Sequence, residues 1–65
     1  MNRLKEFRLK EGLTQKELAE KSKISVRSIQ AYESEERKIE KMNLKSALSI
    51  SRVLKIRIEE LIKKG

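Results

Sequence analysis

An all-α fold of five short helices is predicted for this 65-residue chain, and three observations predict it. Residues that enter a helix readily (Leu, Lys, Glu, Arg, Ala, Gln) make up most of the sequence. No run alternates apolar and polar side chains cleanly enough to be a strand. Capping side chains (Thr14, Ser25 and Asn43) stand in front of three helix-sized segments. At 7.6 kDa the chain has room for one small domain, residues 1–65.

The first helix starts near Asn2 or Arg3 and turns Leu4 and Phe7 inward, with Arg8 one turn after Leu4. Gly12 stops it, because glycine accepts the left-handed conformation that a helix C-terminus favours. At the second helix Thr14 caps the amide of Glu17 and Glu17 reaches back to Thr14, a capping box, while Leu13 staples onto Leu18. Leu18 and Ala19 are its inward pair. Ser22, Lys23 and Ile24 make the turn, and Ser25 caps a third helix from Val26 to about Glu33 or Ser34, with Ile29 inward and Tyr32 beside it. Residues 35–42, EERKIEKM, form a charged connection with Ile39 and Met42 as candidate anchors. Asn43 caps the fourth helix, whose inner stripe is read as Leu44, Ala47, Leu48, Ser51 and Leu54, with Ile50 adjoining. Ile56 crosses the next turn, and Ile58, Leu61 and Ile62 give a short last helix an apolar face.

Composition narrows the function. Cysteine and histidine are absent and all ten acidic residues are glutamates, which removes disulfides, most metal sites and the usual general bases. Lys and Arg number 17 against those 10 acids, a net charge of +7. That balance favours a polyanionic partner, nucleic acid before an anionic membrane surface. Residues 1–34 hold eight basic and five acidic side chains and residues 35–65 hold nine and five. The excess is therefore spread evenly, and a basic patch has to be assembled by the fold. The longest apolar run is two residues, so neither a membrane span nor a signal peptide is expected.

The informative segment is Gln15 to Ser34, QKELAEKSKISVRSIQAYES. Two helices joined by a three-residue turn cross at a large angle only where the crossing point is small, and Ala19 supplies it. Leu18, Ile24 and Ile29 fill the space beneath. Val26, Arg27, Gln30 and Ala31 are left as an outward face that is short, polar and unpaired with the core, as a groove-reading helix requires.

This pattern resembles the Cro/phage-repressor type (XRE-like) helix-turn-helix family. Leu4, Phe7 and Arg8, with GLTQKELA from Gly12 to Ala19, are similar to that family's first two helices. ISVRSIQAYE, from Ile24 to Glu33, is similar to its turn and recognition helix, and LSISRVLKIRIEELI, from Leu48 to Ile62, to its fourth and fifth helices. The resemblance covers nearly the whole sequence. It implies a compact five-helix, lambda-repressor-like DNA-binding domain with the helix-turn-helix at about residues 15–34. Two departures stand out. The family usually has glycine where Lys23 stands, and glycine and proline after the recognition helix, where this chain has Ser34, Glu35 and a longer charged loop.

For double-stranded DNA, Arg27 and Gln30 suit base edges, Arg to guanine and Gln to adenine, and Val26 and Ala31 suit a thymine methyl. Gln15 lies where free amides and the helix dipole favour an anion, and the resemblance implies a phosphate contact there. Thr14, Ser25, Ser34 and Lys38 are the other expected phosphate contacts, with Lys41 also in reach of the backbone. The resemblance further implies a largely buried ion pair between Arg8 and Glu33. Ile58, Leu61 and Ile62 are candidates for a dimer surface or for closing the core.

The resulting expectation is a sequence-specific transcriptional regulator, a repressor, acting as a homodimer on a palindromic operator. It is expected to be a non-enzyme that needs no cofactor, metal or small-molecule ligand and contacts no membrane. The resemblance implies a cytoplasmic protein of bacterial or phage origin. The competing reading is an antitoxin or anti-regulator that uses the same fold to bind a protein partner.

Overall fold

Side-chain caps decide where the helices begin. The computed structural model describes residues 3–62, so Asn2, the earlier of the two expected starts, lies outside the described residues. The elements are α1 (Arg3–Lys10), α2 (Gln15–Ser22), α3 (Val26–Glu33), a single 3-10 turn (Ile39–Lys41), α4 (Leu44–Leu54) and α5 (Ile58–Ile62). Among the described residues there is no strand. The expected capping box is formed. Thr14 Oγ1 accepts from the Glu17 amide at 3.0 Å, and the Thr14 amide donates to Glu17 Oε1 at 2.8 Å. Ser25 Oγ accepts from the Ser28 amide at 3.2 Å and Asn43 Oδ1 from the Ser46 amide at 2.8 Å, so α3 and α4 start on side-chain oxygens as well.

The helix ends share one device. Gly12, Lys23 and Lys55 each sit at positive φ, at 70°, 61° and 59°. The residue after each sends its amide back five positions: Leu13 to Arg8, Ile24 to Ala19 and Ile56 to Ser51, all at 3.0–3.1 Å. This is the Schellman closure that satisfies the last carbonyls of a helix. Only the first carries the glycine that makes a left-handed residue easy. Glu35, two residues past α3, is a third side-chain-bearing residue in that region, at φ 66°. Lys23 and Glu35 thus hold the backbone conformations for which the family uses glycine.

Leu4, Leu18, Ile29, Ile50, Leu54 and Leu61 are fully buried, joined by Ala19, Tyr32, Met42 and Ala47. Each large side chain taken fully from water contributes on the order of 1.5–3 kcal/mol. Phe7, Leu13, Ile24, Ile39, Val53, Ile56 and Ile58 pack around them, half-buried. Within this core α2 packs on both α3 and α4, α1 on α3, and α5 on α4 and the 3-10 turn. Ile39 and Met42 pin the 35–42 connection to the core, as their spacing suggests.

Two expectations are corrected. Leu44 is 66% exposed and Leu48 39%, so neither belongs to the inner stripe of α4. At about 100° per residue, the buried positions Ala47, Ile50, Ser51 and Leu54 share one face. Ala47 and Leu54 take its centre and Ile50 one edge, while Leu44 and Leu48 fall beyond the opposite edge, past Ser51. Leu61 is only 1% exposed and closes the core, which withdraws it from the dimer-surface candidates. Ile58 is half-buried against the core, and Ile62, at 38% exposed, is the outermost of the three.

Candidate nucleic-acid interface

The turn between α2 and α3 lifts one face of α3 clear of the core. Ile29 and Tyr32 point inward, while Val26, Arg27 and Gln30 are exposed and Ala31 is half-buried. Round the helix the outward positions follow in the order Val26, Gln30, Arg27, Ala31, one continuous polar and small-residue surface. The narrowness of Ala19, 8% exposed, is what allows α2 and α3 to approach at the motif's crossing.

A chain of polar contacts runs from the interior to this surface. Arg8 Nε donates to Glu33 Oε2 at 2.6 Å and Nη2 to Oε1 at 3.1 Å, a two-pronged ion pair whose side chains are 8% and 4% exposed. Arg8 Nη1 also donates to the Leu13 carbonyl at 2.7 Å, tying the α1–α2 connection to the pair. Glu33 Oε1 then accepts from Gln15 Nε2 at 3.0 Å, and Gln15 Oε1 accepts from Gln30 Nε2 at 3.4 Å. The buried pair that the resemblance implied is present. It also orients Gln15, and Gln15 in turn braces Gln30 on the reading face.

The other expected contact residues are spread around this face. Thr14 is exposed at the start of α2, where the first-turn amides of Gln15 and Lys16 have no intrahelical acceptor. Gln15 is half-buried and commits one amide hydrogen to Glu33, which leaves its second for a ligand. Ser25 is exposed at the N-terminus of α3, its hydroxyl donating to Ser28 Oγ at 3.0 Å. Ser34 is exposed but folds back on the end of α3: its hydroxyl donates to the Ala31 carbonyl at 3.2 Å and its amide to the Gln30 carbonyl at 2.9 Å. Both donors are already used in closing α3, so the geometry gives Ser34 little to offer a phosphate. Lys38 and Lys41 are exposed and line a recess of ≈ 290 Å³ with Tyr32, Glu36 and Arg37. The Glu17 carboxyl is held below its ordinary range, first by the Thr14 amide, then by the Thr14 hydroxyl and the nearby Lys21 charge.

Sequence reasoning missed Arg37. Its guanidinium lies over the Tyr32 ring, 5.1 Å from the centroid, and Nη1 donates to Ser28 Oγ at 3.4 Å. The only signal for it was an arginine five residues after the tyrosine, a spacing that reaches across the end of a helix and belongs to no recognised pattern. The Gln15–Glu33 contact had no sequence signal either, since it bridges 18 positions.

A family model described as helix-turn-helix matches residues 4–61. No curated protein and no solved structure matches the chain significantly. The match takes in every helix but the first residue of α1 and the last of α5, and its members are DNA-binding regulators. Among the described residues, no helix is long and apolar enough to cross a membrane. With all-helical architecture, capped motif helices and a core-free α3 face in place, this chain belongs to the Cro/phage-repressor type (XRE-like) helix-turn-helix family of DNA-binding regulators.

Proposed function

We propose that residues 1–65 act as one sequence-specific, double-stranded DNA-binding transcriptional regulator of the repressor kind, a homodimer reading a palindromic operator. The observation that carries this reading is the outward face of α3: Val26, Arg27, Gln30 and Ala31, with Gln30 braced by Gln15. Arg27 has no side-chain hydrogen bond or ion pair among the described residues and is long enough to reach guanine, while Gln30 presents its amide to adenine. The start of α2, at Thr14 and Gln15, lies beside the Gln30 edge and offers amide donors to a phosphate. Ser25 and Lys38 supply further backbone contacts, and these position the protein without choosing sequence.

Repression needs only occupancy of the operator, which the α3 face supplies; activation needs a second surface for the transcription machinery. One recognition helix reads a few base pairs, so two copies on half-sites about 34 Å apart give usable discrimination. Ile62, with Ile58 behind it, is the surface proposed for that contact. Selection of duplex DNA from a random pool tests the reading. It predicts a palindromic sequence whose binding weakens steeply with salt. Recovery of no preferred sequence, or an association with protein alone that ignores salt, favours the antitoxin or anti-regulator reading instead.

A further inference from the structure

We infer that Arg37 is a positioned cation that grips the DNA phosphodiester backbone on the flank of α3 opposite Gln15. This rests on the DNA-binding reading above. Round α3, Ala31 is followed by Ser28 and then Tyr32, and Arg37 engages all three. Its amide donates to the Ala31 carbonyl at 3.1 Å, its Nη1 to Ser28 Oγ at 3.4 Å, and its guanidinium covers the Tyr32 ring. On the other side of the reading face, Gln15 engages Glu33 and Gln30. The face is thus bracketed, with an amide-rich helix start on one edge and an arginine on the other.

Groove dimensions give this bracket a meaning. A helix with its side chains is about 10–12 Å across, and the major groove is about 12 Å wide. Whatever stands on the two flanks of a groove-seated helix therefore faces the two phosphate strands. Arg37 is equipped for that place. A guanidinium carries five N–H donors, of which Ser28 takes one, and stacking on Tyr32 limits the rotation that a free arginine loses on binding. Lys38 and Lys41 line the same recess and add positive charge, against the single carboxylate of Glu36. Ser28 Oγ also accepts from Ser25, the cap of α3. The tether consequently joins Arg37 to the end of the helix that enters the groove first.

The test is a titration of a labelled mixed-sequence duplex at a series of salt concentrations with the unsubstituted chain, Arg37→Ala and Arg37→Lys, with a thermal melt of each. Arg37→Ala is expected to reduce the slope of log affinity against log salt by about 0.9, one phosphate contact, and to weaken binding about tenfold at low salt. Arg37→Lys keeps the slope but recovers less than half of that loss, because an ammonium neither stacks on Tyr32 nor shares Ser28 in the same geometry. Where Arg37→Ala lowers the melting temperature, Arg37→Gln, which retains a donor for Ser28, carries the slope measurement. An unchanged slope without the charge overturns the phosphate contact, and Arg37→Lys binding as tightly as the unsubstituted chain overturns the positioning. Failure of the unsubstituted chain to bind the duplex is a separate result: it contradicts the DNA-binding reading, and this inference falls with it.

Discussion

Arg8→Ala removes three hydrogen bonds at once: two to Glu33, at 2.6 and 3.1 Å, and one to the Leu13 carbonyl at 2.7 Å. What remains is the Glu33 carboxylate, its side chain 4% exposed, which among the described residues keeps the hydrogen bond from Gln15 Nε2. Burial of an uncompensated charge after removal of its partner costs about 3–5 kcal/mol. A chain of this length has roughly 3–10 kcal/mol of total stability at about 0.05–0.15 kcal/mol per residue. The variant is therefore expected to lose from about a third to all of its stability, seen as a lowered midpoint in urea with the slope of the transition retained. Replacing both partners by apolar residues, Arg8→Met with Glu33→Leu, is expected to recover most of the loss, because no charge is then left buried. A cost below about 0.5 kcal/mol for Arg8→Ala, the range of an exposed pair, would refute the reasoning.

Among the described residues, three that carry side chains hold left-handed backbone, and Lys23→Gly, Glu35→Gly and Lys55→Gly are each expected to be neutral or to stabilise by up to about 1 kcal/mol; a clear fall in melting temperature at any of them contradicts the strain argument there. Glu17 has its folded pKa lowered by the Thr14 cap, so its contribution is present above the unfolded value and is lost as pH falls through the folded one. Glu17→Gln is then expected to flatten that part of the acid-side decline in stability, and an identical acid profile for the variant would sink the assignment.

Much of this architecture is legible from local chemistry. The capping box at Thr14 and Glu17, the caps at Ser25 and Asn43, and the stop at Gly12 depend on residues within a few positions of one another, and each is found where the sequence places it. The αL turn at Lys23 was approachable through the glycine its family prefers. Lys55 was not, because a lysine in that conformation looks like any other. Leu44 and Leu48 mislead for a related reason: leucine at helical spacing marks an apolar edge, and only the packing of α4 on α2 and α5 decides which edge is covered. The site divides in the same way. The outward face of α3 follows from periodicity, whereas the brace from Arg8 through Glu33 and Gln15 to Gln30, and the stacking of Arg37 on Tyr32, join residues from different elements. Such contacts have no local signature.

The central claim is that the α3 face reads bases, and Arg27 is where it is most exposed to test. Arg27→Ala, titrated on the selected duplex and on a panel of its single-base substitutions, is expected to lose about 1–3 kcal/mol of affinity. The account predicts that this loss comes with relaxed preference at one position of each half-site and unchanged discrimination elsewhere. An equal loss on every duplex in the panel would contradict it, leaving Arg27 as a backbone contact.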